Sequence, residues 1–352
     1  MPTPSSQLNE PADLDPQLRQ FLFRSELAQV NSDIRVAVLP GGVSCDVWKI
    51  AADGRTFCVK RALPRLRVAK LWDAPVARSE AEWNWLNFAR SVVPNAAPRT
   101  LAHDPEAGMI AIEYLDPQRY QVWKQRLLDG VVDSNVATAA ARIIARIHAA
   151  SARNSEIASQ FKTREAFYAL RIEPYLLEAA RQNPVVSDSL NCLAEQTLET
   201  EIALVHGDVS PKNILVGPEG PVILDAETAW YGDPAFDVAF CLNHLLLKCV
   251  ARPQFADSYL ACLASFRDEY LAGVSWEDLS GIEARAARLL PALLLARVDG
   301  KSPVEYLAGT QQSFVRNSAI EMIRSSSTKL DLIAKSWKEE ITRFRAEHPE
   351  GG

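Results

Sequence analysis

The chain has 352 residues, enough for two lobes with a sizeable core, and its 48% hydrophobic and 23% charged content is that of an ordinary globular protein. Thirty-eight Lys and Arg against 44 Asp and Glu give a net charge of −6, which removes the basic footprint that nucleic-acid binding requires. The six cysteines (Cys45, Cys58, Cys192, Cys241, Cys249 and Cys262) show no metal-ligand spacing, no apolar run approaches the ~20 residues that span a bilayer, and MPTPSSQLNEPADLDPQ has no secretory pattern, so a cytoplasmic protein with reduced thiols is expected.

Residues 1–15 are polar and Pro-rich and read as a disordered tail. DPQLRQFLFRSELAQV then predicts a helix over 15–30, with Asp15 as N-cap, Pro16 in the first turn and Leu18, Phe21, Leu22 and Leu27 on one face. The stretches 34–40, GGVSCDVWKI and TFCVKRA read as strands of a meandering sheet, separated by a Gly loop and an ADGR turn. Gly41 and Gly42 let backbone approach a phosphate and Ser44 adds a hydroxyl, although two glycines also make an ordinary hairpin turn. There is no GxxxxGK[ST], which removes a Walker-type nucleotide site.

Lys60 lies in the strand FCVKRA, where a lysine ordinarily faces solvent. The helix RSEAEWNWLNFAR carries Glu80 and Glu82, and the basic run Arg61, Arg65, Arg67 and Lys70 reads as a solvated face. MIAIEYLDP is a buried strand ending at a lobe boundary over 115–117. VATAAARIIARIHAA predicts a helix over 136–150 with His148 as a core histidine, and 155–200 reads as two helices parted near Asn183 and Pro184.

The richest stretch is 204–237, LVHGDVSPKNILVGPEGPVILDAETAWYGDPAFD. Its segments 202–205, 214–216 and 222–224 are strand-like, and GPEG folds the last two into a hairpin that brings Asp225 near Asn213. Carboxylate and amide oxygens are hard ligands that suit Mg²⁺ against phosphates. One Asp, an Asn five residues on and a second Asp after a hairpin are what phosphoryl transfer needs. Singly, Asp208 reads as a turn residue and Asn213 as a loop cap, but no turn requires both loops at once. His206 reads as a buried histidine bonded to loop backbone, and Asp237 as a carboxylate that braces the loop. The remainder is helical in pattern over 238–248, 256–272, 282–298, 303–308 and 311–346. Ser302, Pro303 and Glu305 form an N-cap, first-turn Pro and capping box. Arg297, Asp299 and Lys301 before them either reach a substrate or belong to a plain helix–helix turn.

HGDVSPKN followed by DAE resembles the catalytic and metal loops of the aminoglycoside phosphotransferase and choline kinase superfamily, where HGD-x4-N and D-x-D/E stand for the HRD-x4-N and DFG of protein kinases. The resemblance implies an α+β, two-lobed protein-kinase-like fold with a small, mostly antiparallel β lobe and a large, mostly helical lobe. The divisions expected are 1–32 as N-terminal tail and helix, 33–115 as nucleotide-binding lobe and 116–352 as catalytic and substrate lobe. It further implies ATP and Mg²⁺, with Gly41, Gly42 and Ser44 at the phosphates and Lys60 gripping them beside Glu82, Glu80 being the reserve partner. Glu113 and Leu115 would stand at the adenine, where backbone groups do the binding. On the same resemblance Asp208 is the catalytic Asp, Asn213 and Asp225 are metal ligands, and Glu227 contributes to a second metal. Lys212 reads either as neutralising the transferring phosphoryl group or as an exposed loop lysine. DAETAWYGDPAFD is also similar to the methylthioribose kinase metal loop, although those kinases carry Ser where Asn213 stands. The activity implied is transfer of the γ-phosphate to a hydroxyl of a sugar, aminoglycoside or amino alcohol. Two rivals are a catalytically silent ATP-binding module and a metal-dependent hydrolase built on His206, Asp208, Asp225 and Glu227.

Overall fold

The computed structural model describes residues 14–40, 43–67 and 72–347. The tail, Gly41, Gly42 and Lys70 lie outside the described residues. Helix α1 (Pro16–Arg24) begins as its sequence dictates: Asp15 Oδ1 accepts from Gln17 N at 2.9 Å and Leu18 N at 3.0 Å, satisfying amides that have no intrahelical partner. It is shorter than the apolar spacing suggests. Glu26 takes a positive φ of 56° and turns the chain back, so Leu27 is buried from outside the helix.

Strands β1 (Arg35–Val38), β2 (Cys45–Ala52), β3 (Arg55–Ala62), β4 (Thr100–Asp104) and β5 (Met109–Glu113) form one antiparallel sheet in the order β1-β2-β3-β5-β4. Successive side chains on a strand point to opposite faces, and β3 uses this alternation. Phe57 and Val59 join Trp48, Ile50 and Met109 in a cluster under Leu18, Phe21 and Leu22 of α1. Cys58 and Lys60 point the other way, toward a cleft, with Lys60 in register between Val47 and Ile110. Helix α2 (Arg78–Val92) is inserted between β3 and β4 and buries Glu82, Trp85, Leu86 and Ala89.

Past residue 120 the chain is mostly helical. The buried helices Ser134–Ser151, Ala235–Ala251, Ala256–Ala272 and Leu279–Asp299 share one core. The hairpin Ile214–Gly217 and Gly220–Ile223 forms as GPEG dictates, with Ile214 opposite Ile223. Ala203–Val205 pairs elsewhere, with Trp230–Gly232. No helix among the described residues is long and apolar enough to cross a membrane.

Three expectations change. The two helices read over 155–200 are broken into shorter pieces, one a wide π-helical stretch, Tyr168–Leu177, with Pro174 inside it; proline lacks the N–H that regular α pairing needs. The helix read over 311–346 is two, Thr310–Ser325 and Leu330–Glu347, parted where Ser326 adopts a left-handed φ of 50°. No helix forms over 303–308 and no capping box with it: Glu305 pairs with Lys124 instead, and Ser302 accepts from Arg297.

Candidate active site

The first loop hangs from Ala203–Val205 and is fixed from behind by one buried carboxylate. Asp237, at the start of Ala235–Ala251, accepts from His206 N at 2.7 Å and Gly207 N at 2.8 Å. His148 Nε2 lies 3.2 Å from the same carboxylate, and its Nδ1 lies 2.7 Å from the Tyr270 hydroxyl. His206 donates Nε2–H to Leu224 O at 3.1 Å and accepts the Asp208 amide on Nδ1, also at 3.1 Å. Both ring nitrogens are thereby spent on loop backbone, and burial lowers the pKa of this imidazole below its ordinary value. His206, His148 and Asp237 stand where the sequence puts them, as supports. A metal on His206 would have to displace one of these bonds.

Gly207 has φ +78°, and a Cβ there would lie 2.6 Å from Thr228 Oγ1 and 2.8 Å from Thr228 O. Only glycine passes this point without strain. The turn delivers Asp208, buried, with Oδ2 2.8 Å from Arg171 Nη2 and 3.1 Å from Lys212 Nζ. Burial alone would raise its pKa, but Lys212 and Arg171 outweigh it and hold the carboxyl below the usual range. Five residues on, Asn213 donates Nδ2–H to Asp208 O at 3.1 Å, which leaves the amide oxygen as the atom with lone pairs to offer.

The second loop follows the hairpin. Asp225 adopts a positive φ of 69°, a conformation that costs a non-glycine residue of order 1–3 kcal/mol and collects at functional sites. Its Oδ1 lies 2.6 Å from Lys60 Nζ. Lys60 is also held by Glu82, Nζ to Oε1 at 2.6 Å and to Oε2 at 2.8 Å. One ammonium from the sheet thus joins α2 to the second loop. Glu80 is exposed and makes no such contact. Burial pushes the Glu82 carboxyl up to about 7, with Lys60 pulling against it; for Asp225 burial is outweighed by Lys60 and Lys212, and its pKa falls. Glu227, two residues on, accepts from Arg78 Nε at 2.9 Å.

These groups line one cavity of about 670 Å³, within the size range of small-molecule sites. Ser44, Lys60, Glu82, Glu113 and Leu115 line it from the sheet side, and Asp208, Lys212, Asn213, Asp225 and Glu227 from the helical side. Gly41 and Gly42 lie outside the described residues.

Two arginines at the site went unread in the sequence. Arg171 reaches Asp208 from the π-helical stretch and donates Nε to Gly207 O at 2.6 Å. Arg78, fully buried, uses its whole fork: besides Glu227 it donates to the carbonyls of Ala74, Pro75, Ser44 and Leu63. Neither sits in a motif, and Arg78 is 149 residues from Glu227 in sequence. Of the three charged residues before the predicted capping box, Asp299 is paired with Arg316 and Lys301 with Glu173. Arg297 bonds to Tyr175 Oη at 3.1 Å and Ser302 Oγ at 3.2 Å, and both partners line the cavity.

The model of the phosphotransferase enzyme family, APH, matches residues 35–273, more than half of the chain and all of both loops. The chain belongs to this family. Among relatives in the phosphotransferase enzyme family, the methylthioribose kinase of Escherichia coli O45:K1 (strain S88 / ExPEC) is 26% identical over 258 residues, 61% of this chain and 61% of its own length. Methylthioribose kinase 1 of Oryza sativa subsp. japonica is 23% identical over 239 residues, 60% of this chain and 55% of its own length. The chain therefore spans about three-fifths of the length of the curated relatives it matches.

Two solved structures agree in fold. Amicoumacin kinase hAmiN in complex with AMP-PNP, Ca2+ and Ami superposes with a TM-score of 0.54 at 14% identity, covering 90% of this chain and 96% of that one. Plasmodium vivax ethanolamine kinase Pv091845 gives 0.52 at 11% identity, covering 84% of each. At such identities the likeness is one of architecture: a two-lobed, kinase-like fold with an antiparallel N-terminal sheet and a helical second lobe.

Proposed function

We propose that this member of the phosphotransferase enzyme family transfers the γ-phosphate of ATP to a hydroxyl of a small molecule, using the cavity between the sheet and the two loops, with the chain changing lobes at 115–117. The observation that carries the reading is the Lys60 ammonium, 2.6 Å from both Glu82 and Asp225, with Asp208 lining the same cavity. A buried ion pair of this kind stabilises little by itself, because desolvation offsets attraction. Its use is to hold a positive charge ready for phosphate oxygens.

In this reading Asp208 accepts the proton of the acceptor hydroxyl as that oxygen bonds to phosphorus and the bond to ADP breaks. The two cations on Asp208 keep it ionised, and Lys212 also faces the transferring group. Ser44, Glu113 and Leu115 line the nucleotide side. The donor set fits magnesium: Asn213 offers an amide oxygen, Asp225 an oxygen not bonded to Lys60, and Glu227, tethered to Arg78, a second carboxylate. Magnesium, when bound, would supply charge neutralisation at the phosphates. Because curated relatives are methylthioribose kinases, sugars are the first acceptors to assay, with amino alcohols and aminoglycosides after them.

Asp208→Asn tests the assignment. Loss of the base is expected to cut kcat by roughly 10²–10⁴-fold while the KM for ATP stays near that of the wild type, read as ADP release with an accepted hydroxyl compound. Wild-type turnover in this variant would remove Asp208 from the reaction. A metal-dependent hydrolase would instead turn over without nucleotide.

A further inference from the structure

The end of the cavity beyond Asp208 carries more positive charge than its carboxylates pair with. Its wall runs from Arg171 through Tyr175 to Ser302, with Lys212 beside Asp208. The guanidiniums of Arg171 and Arg297 each approach the Tyr175 ring, Cζ lying 5.6 Å from its centroid. Among the described residues Arg297 bonds only to Tyr175 and Ser302, and its buried Nε donates to none of them. Behind it Lys248, wholly buried, donates to His244 O at 3.4 Å and lies 5.3 Å from the Tyr306 ring; it bonds to no carboxylate among the described residues. The Tyr306 hydroxyl is buried and finds no partner among the described residues. His244 registers the sum: burial, then Arg297, Lys248, Lys212 and Lys124, all hold it neutral.

The nearby carboxylates are spoken for. Asp299 serves Arg316, Glu173 serves Lys301 and Arg181, and Glu305 serves Lys124. Asp208 is shared by Arg171 and Lys212, with Asp225 also holding Lys212 charged, while Arg297 bonds to no carboxylate among the described residues. A polyamine or quaternary amine entering here would meet cations and find no free carboxylate, whereas an anion would find donors already in place.

We propose that the acceptor is an anionic polyhydroxy compound, a sugar phosphate or sugar acid, whose charged group lies along the Arg171, Tyr175 and Ser302 wall, backed by Arg297 through its bonds to Tyr175 and Ser302, while a hydroxyl faces Asp208. This rests on the phosphotransfer reading and narrows it. Such an acceptor excludes the cationic aminoglycosides and amino alcohols, and treats methylthioribose, a neutral sugar, as the weaker fit.

Glucose 6-phosphate, gluconate, glucose and glucosamine share one carbon skeleton and differ in charge. With Mg-ATP fixed, kcat/KM for the better of the two anions should exceed that for glucose by roughly tenfold or more, with glucosamine lowest. Its KM should rise with KCl, as screening requires. Arg297→Met should raise that KM about tenfold and leave kcat near wild type, with Arg297→Lys partly restoring it; the lysine variant also serves if the methionine variant unfolds. The two anions tell a phosphate site from a carboxylate site. Thermal shifts with AMP-PNP and each compound read binding apart from turnover. Equal or better use of glucose or glucosamine, or stabilisation by nucleotide with none by either anion, overturns the anionic acceptor alone. No nucleotide binding and no ADP release with any of the four overturns the phosphotransfer reading beneath it.

Discussion

Asp208 owes its position to Gly207 and its charge to two cations. The left-handed turn at Gly207 runs against Thr228 so closely that an added methyl group would lie 2.6 Å from Oγ1 and 2.8 Å from the carbonyl. Gly207→Ala should therefore destabilise the fold by about 1–3 kcal/mol and cut turnover, because relief requires Asp208 to move. A urea midpoint and kcat both equal to wild type would show that the turn has slack. Asp208, Asn213 and Asp225 were legible in the sequence because their spacing is local to one hairpin. Arg171 was not, since nothing in its neighbourhood marks it as the partner of a loop 37 residues away.

At the scale of elements, α2 is fastened to the second loop twice. Lys60 joins Glu82 to Asp225, and Arg78 joins the helix start to Glu227 and to the backbone of Ser44. Lysine cannot reproduce a five-donor fork. Arg78→Lys leaves Glu227 a cation but abandons most of four carbonyls, so a loss of roughly 3–5 kcal/mol is expected by analogy with broken buried pairs, with a higher KM for ATP. Unchanged denaturation would mean that the fork contributes only packing. The helix Ala235–Ala251 presents a second test. Burial, with Lys124 adding to it, pushes the Lys248 ammonium down to about 7. The unfolded chain keeps that proton to about 10, so between these values the unfolded state binds more protons and stability rises with pH. Lys248→Met should flatten the rise in unfolding free energy from pH 7 to 10; the wild-type slope in the variant would contradict the assignment. Strand order and the hairpin were legible because period-two alternation and GPEG are local signals. The π-helical stretch was not, because helical periodicity continues past Pro174, and the failed capping box shows Glu305 drawn off by Lys124, 181 residues away.

The whole molecule is two lobes with the proposed chemistry in the seam. The sheet contributes one lysine and the helical lobe two loops, and a bridge of three charged groups spans them. The architecture was legible as soon as both loops were read together, since a cleft between them is the arrangement in which each residue type has a use. The positive end of the cavity was not, because its charges come from 171, 212 and 297, scattered along the chain.

Calorimetric titration of ATP, with and without Mg²⁺, into wild type, Lys60→Met and Asp225→Asn tests the central claim most directly. The account predicts Mg²⁺-dependent binding to the wild type, binding weakened about tenfold or more in Lys60→Met, and Asp225→Asn binding that no longer responds to Mg²⁺. Equal affinity in all three proteins, with or without the ion, would contradict it.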